Sequence, residues 1–167
     1  TFLTVCVFRV SAAPETPFRH GRLDNGLTYY IRATGASAGK ADFYLVQNVG
    51  ALMEEEHQNG LAHVLEHMAF HTEHFPEGVP AFLKRRGIQD LNAYTGADET
   101  VYHIDGVPTT DGGLVDSCLL ILHDWSGFLQ LRADEMEIER KVILEERRQG
   151  MDLSQRMQSQ LNAYLYN

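Results

Sequence analysis

The chain has 167 residues, of which 44% are hydrophobic and 22% charged, a composition that suits one ordinary globular domain with a real core. Its formal net charge of −9 disfavours nucleic acid or anionic lipid as a partner, since both need basic patches. Nothing in it approaches eighteen consecutive apolar residues, so no membrane-spanning helix is expected.

The first segment, "TFLTVCVFRVSAA", has no initiating methionine and runs from a short apolar stretch into small residues. It reads either as the remnant of an export signal over residues 1–19 or as an ordinary first strand. "RLDNGLTYYIRA" at 22–33 opens on an Asp-Asn-Gly turn signal and continues as a β-branched and aromatic strand. "ADFYLVQNVG" at 41–50 is a second, more apolar strand, expected to neighbour the first across the Gly/Ser loop 34–40. From 59 to 72 the period becomes helical, with Leu61, Val64, Leu65, Met68 and Ala69 at steps of three and four. A short helix follows at 79–87, stopped by Gly87, and then a strand, turn and strand over 91–108. An apolar helix at 114–129 contains Cys118 in the run "CLLIL", the setting of a buried structural thiol. Two cysteines make neither a disulfide framework nor a cysteine zinc knuckle. The last helix starts near Asp134 with an acidic first turn, as the helix dipole prefers, and is expected to run almost to the C-terminus. The order predicts an α+β fold, an antiparallel sheet with helices packed on one face.

The chemistry lies in "GLAHVLEHMAFH" at 60–71. On a helix, His63 and His67 project from one face a turn apart and can offer two ring nitrogens to one ion. Glu66 lies near that face and is left free to take a proton from a water beside the ion and pass it to a leaving amine. This H-x-x-E-H order is the inverse of the zincin motif. Alone, it competes with a solvated or hydrogen-bonded pair of helical histidines. A catalytic zinc also needs a third protein ligand and an open position. His71 and His74 are the local candidates, but one ion does not easily reach three successive turns of a straight helix. In "EIERKVILEERRQ" at 137–149, Glu139 and Glu146 are two turns apart on one face, shared in part with Val142 and Ile143. That pattern fits either acids pointing inward or a plain charged amphipathic helix.

Together these residues resemble the M16 family of zinc metallopeptidases, which includes pitrilysin, insulin-degrading enzyme and mitochondrial processing peptidase. "RLDNGLTYY", "NGLAHVLEHMAF", "LNAYTGADETVYHID" and "ERKVILEE" match in the family's order over about residues 20–167, closest to bacterial members. The resemblance implies a metalloendopeptidase with one zinc per domain held by His63, His67 and Glu146. Glu66 is then the general base toward a zinc-activated water, and Glu139 a supporting functional acid. Glu145 is the rival third ligand. Asn92, Ala93, Tyr94 and Thr95 fall on the family's edge strand, which pairs with substrate backbone. The expected partners are a peptide or small protein substrate and a second M16 half-domain, in cis or trans, in a periplasmic or secreted location. The family's catalytic domain continues past "AYLYN", and close relatives carry a longer loop where this chain has "GIQDL". The implied alternative is a truncated or non-catalytic module that binds zinc or a partner without turnover. A histidine-rich storage surface is a third reading.

Overall fold

The structure is a computed structural model that describes residues 3–6, 18–34 and 39–149. The chain divides into two compact units, Thr1–Leu131 and Arg132–Asn167. The first unit carries six strands: β1 (Leu3–Cys6), β2 (Arg19–Arg22), β3 (Thr28–Ile31), β4 (Lys40–Gln47), β5 (Leu91–Thr95) and β6 (Thr100–Pro108). Its helices are α1 (Leu61–Met68), α2 (Val79–Arg85) and α3 (Gly112–Trp125). The second unit carries α4 (Ala133–Gln149).

The strands form one sheet in the order β2-β3-β1-β4-β6-β5, which makes β5 an edge strand among the described residues. All pairings are antiparallel except that of β1 with β3. The two strands expected to be neighbours, β3 and β4, are instead separated by β1, which pairs with both. The Asp-Asn-Gly signal closes a different hairpin, β2 to β3. There Gly26 takes φ +90° and Leu27 N–H donates to the Asn25 side chain at 3.1 Å. Residues 7–17, most of the segment read as a leader, lie outside the described residues.

Alternation along the strands sends one set of side chains into the core. Phe43 and Leu45 of β4 and Tyr102, Ile104 and Val107 of β6 are buried against the helices. The step from Ile104 to Val107 breaks the period of two. A register shift opposite Ala41/Phe43 absorbs it, with Gly106 at φ +71° donating its N–H to Asp42 Oδ1 at 2.7 Å.

Local sequence explains the helix limits. Proline at the start favours α2, and Gly87 ends it at φ +78°. Gly87 N–H reaches Lys84 O at 3.1 Å and Ile88 N–H reaches Leu83 O at 3.0 Å, a Schellman closure that also buries Ile88. Asp111 caps α3 through Leu114 N–H at 3.1 Å. Helix α3 stops at Trp125, earlier than the apolar run suggests, and Leu129 pairs with Thr72 in an isolated bridge. Helix α1 likewise stops at Met68, so His71 and His74 lie beyond it. The expected extension of α4 past Gln149 falls outside the described residues. Among the described residues no helix is long and apolar enough to cross a membrane.

Candidate metal and catalytic site

Helix α1 is held at both ends. Its N-cap is Gly60, at φ +93°, which has no side chain to cap with. The Glu54 carboxylate does so from six residues upstream, accepting from Gly60 N–H and Ala62 N–H, both at 2.7 Å. At the other end the fully buried Trp125 donates its indole N–H to Ala69 O at 2.7 Å. Trp125 also stacks on Tyr102, with ring centroids 5.2 Å apart.

Between these anchors α1 presents its three chemical residues. The Nε2 atoms of His63 and His67 lie 3.2 Å apart, with the rings edge-on. Two imidazoles on one tetrahedral zinc, at bonds of about 2.0–2.1 Å, would hold their nitrogens roughly 3.3 Å apart. The separation of the pair therefore matches that of two ligands on one zinc ion. Both rings are half-buried. Glu66 is 8% exposed and accepts a 2.6 Å hydrogen bond from Thr95 Oγ1 on the edge strand. The Tyr102 hydroxyl is pushed far up, first by burial and then by the charge of Glu66, so it stays protonated near that carboxylate.

A cleft of about 530 Å³ opens here, lined by Glu54, His63 and Glu66 on one side and by Ala93, Tyr94 and Thr95 of β5 on the other. Asn92 turns its side-chain oxygen to Ala93 N–H at 3.0 Å, and the Tyr94 hydroxyl donates to Glu99 at 3.1 Å. Glu139 and Glu146 lie on α4, in the second unit, two turns apart as their spacing dictates. On the same helix both oxygens of Glu145 are taken by Arg148, at 2.7 and 2.8 Å, and one also accepts from Gln149. The Arg148 bonds hold the Glu145 carboxyl below the usual range.

Other histidines have their own settings. His57 sits at the surface 3.4 Å from Glu55, and His103 bonds Asp105 at 2.8 Å while stacking on Tyr44. His74 bonds the fully buried Asp124 at 2.7 Å. One residue of the site, Glu54, stands outside every motif of the sequence. The bare Gly60 at a helix start is the clue that an acceptor must come from elsewhere.

A mostly antiparallel sheet packed against helices, with a histidine pair and a buried carboxylate on α1 beside the edge strand, is the architecture of a peptidase half-domain. Residues 33–167 match the family Insulinase (Peptidase family M16), and the chain belongs to it. It is 36% identical to the "Zinc protease PQQL-like" of Arabidopsis thaliana over 144 residues, which is 83% of this chain and 15% of that protein. It is also 36% identical to the "Probable zinc protease PqqL" of Escherichia coli over 137 residues, 79% of this chain and 15% of that one. The crystal structure of the periplasmic protease PqqL from Escherichia coli superposes with a TM-score of 0.79 at 34% identity, covering 89% of this chain and 17% of PqqL. The ferredoxin protease FusC, solved in complex with Arabidopsis ferredoxin, matches at a TM-score of 0.76 and 30% identity, over 86% of this chain and 16% of FusC. The chain thus spans about one sixth of the length of these relatives.

Proposed function

We propose that this chain is the zinc-binding part of an endopeptidase, with His63, His67 and Glu146 as the metal ligands and Glu66 as the general base. The observation that carries the reading is the histidine pair, 3.2 Å apart and beside a buried carboxylate that an edge strand holds in place. Membership in a peptidase family supplies the reaction class. Glu146 is preferred over Glu145 because the M16 resemblance puts the third ligand seven residues after Glu139, in the pattern E-R-x-V-I-x-x-E.

Zinc, when bound, supplies a Lewis acid that acidifies water and polarises a carbonyl. The chain's own residues do the rest. An extended peptide adds to the free edge of β5 and lies along Asn92–Thr95, its backbone paired and its scissile bond over α1. Glu66 takes a proton from the attacking water and returns it to the leaving nitrogen, so that water is added across the C–N bond. Thr95 keeps the Glu66 carboxylate aimed into the cleft. Glu139 stands behind Glu146 as its supporting acid. The substrate is a peptide or small protein, as the ferredoxin complex of FusC illustrates for that protein. A second M16 half-domain closes the site, and a periplasmic or secreted location follows the likeness to PqqL.

Zinc stoichiometry on the purified chain and on Glu146→Gln tests this. The wild type should carry one zinc, and Glu146→Gln should lose most of it at the same free zinc. Equal zinc in the two proteins would overturn the ligand assignment. A chain that carries zinc yet leaves a fluorogenic peptide intact, even with a second M16 half-domain supplied, would favour the binding module.

A further inference from the structure

The metal helix begins on a residue that cannot cap it. Gly60 offers no side chain, yet the first turn of α1 contains His63, whose ring must hold still for a metal to bind. Uncapped first-turn N–H groups fray, and a fraying first turn moves His63 relative to His67. Glu54 removes the problem from outside the helix. Its two oxygens accept from Gly60 N–H and Ala62 N–H at 2.7 Å each, the N-cap and N2 donors. Its negative charge also lies at the positive end of the helix dipole.

Glu54 is itself fixed. The 3-10 turn Ala51–Met53 just before it is bonded to the β5–β6 turn, Ala51 N–H to Gly96 O at 3.1 Å and Leu52 N–H to Ala97 O at 2.7 Å. Gly50 makes this approach possible, since a Cβ there would meet Gly96 O at 2.6 Å and the Ala97 carbonyl carbon at 2.7 Å. On the other side the 3-10 turn Glu56–Gln58 is closed by its own capping box, Glu55 with Gln58. A continuous set of short bonds therefore runs from the end of the edge strand, through Glu54, to the start of the metal helix.

We propose that Glu54 is a positioning residue: it sets the first turn of α1, and with it His63, against the β5–β6 turn, so that the histidine pair is preformed for its ion. The inference rests on the zinc reading above and deepens it.

Cobalt(II) titration of the chain, followed by its d–d absorption and by chelator competition, tests it. The wild type should bind one Co²⁺ with the intensity of a four-coordinate site. Glu54→Ala should bind about tenfold more weakly, the size of a lost helix cap. Amide exchange at Gly60 and Ala62 should accelerate in that variant while exchange in α3 is unchanged. Glu56→Ala, which removes an exposed charge two residues away, should bind like the wild type. Equal losses in both variants would reduce Glu54 to general attraction of cations, and an unchanged Glu54→Ala would overturn the proposal. Should Glu54→Ala not fold, Glu54→Gln keeps one acceptor and should lose about threefold; wild-type affinity there would equally overturn it. A wild type that binds no cobalt would instead remove the metal reading and this inference with it.

Discussion

Thr95 Oγ1 donates to Glu66 at 2.6 Å, and this one contact lets two roles be separated by mutation. Glu66→Gln keeps the shape and the hydrogen bond but cannot carry a proton. Peptide hydrolysis should fall by at least about 10²-fold, the size of a general-base contribution, while zinc content measured by atomic absorption stays at the wild-type value. Thr95→Val leaves the base in place but unaimed. It should lower kcat about tenfold with KM nearly unchanged, and Thr95→Ser should restore it. A Thr95→Val enzyme that loses affinity for peptide and keeps kcat would place the threonine on the substrate instead. Away from the site, burial pushes the Cys118 thiol up to about 12. Native protein should therefore resist iodoacetamide at pH 8 at that position, and mass spectrometry should find it alkylated only after unfolding.

At the scale of elements, α1 works because other segments hold its ends. Trp125→Phe removes the indole bond to Ala69 O, leaving a buried carbonyl without its donor, and should destabilise the fold by about 1–3 kcal/mol in urea denaturation followed by far-UV circular dichroism. Helix α4 carries exposed ion pairs along its own surface. Arg132, Arg140 and Arg148 donate to Asp134, Glu137 and Glu145, and each carboxyl is held below its usual range by that bond first. A carboxylate whose folded pKa is depressed adds stability that is present above its unfolded value, roughly 4, and lost as pH falls through the folded value. Amide shifts in α4 should therefore be flat above about pH 5 and move toward coil below about pH 4, and less so in high salt. The sequence made most of these elements legible, since the 3.6 period of α1 and the run of α3 are local signals. It did not make legible what depends on distant partners. The place of β1 between β3 and β4 follows from which edges remain to be paired, and neither strand encodes it alone. The cap on α1 comes from Glu54, six residues before its N-cap Gly60, outside the spacing of any local capping motif. The helix ends fall short of the sequence reading for a related reason, because Phe128 and Leu129 after α3 and Phe70 after α1 continue the apolar pattern while tertiary bonds have already ended the helix.

For the molecule as a whole, the zinc reading turns a local donor set into a measurable stability. An ion that binds only the folded chain stabilises it by mass action, about 2.7 kcal/mol when free zinc is a hundredfold above Kd. For a chain of this length each kcal/mol moves Tm by about 2–4 °C, so saturating zinc should raise Tm by about 5–10 °C. The shift should be reversed by chelator, and it should exceed the weak attraction that a net charge of −9 exerts on any divalent ion. That weak attraction has a separate signature: calcium would share it, and 0.3 M salt would abolish it. The variants then sort the ligands from the base. His63→Ala and His67→Ala should lose the zinc-dependent shift, Glu146→Gln should lose most of it, and Glu145→Gln should keep it, since the Glu145 carboxylate is committed to Arg148. Glu66→Gln should keep the full shift while turnover is lost. If Glu145→Gln and Glu146→Gln exchange these outcomes, the third ligand is Glu145 and Arg148 must release it on metal binding. If Tm is indifferent to zinc in the wild type, the histidine pair is no more than a hydrogen-bonded contact on α1, and the endopeptidase reading of this chain loses its cofactor.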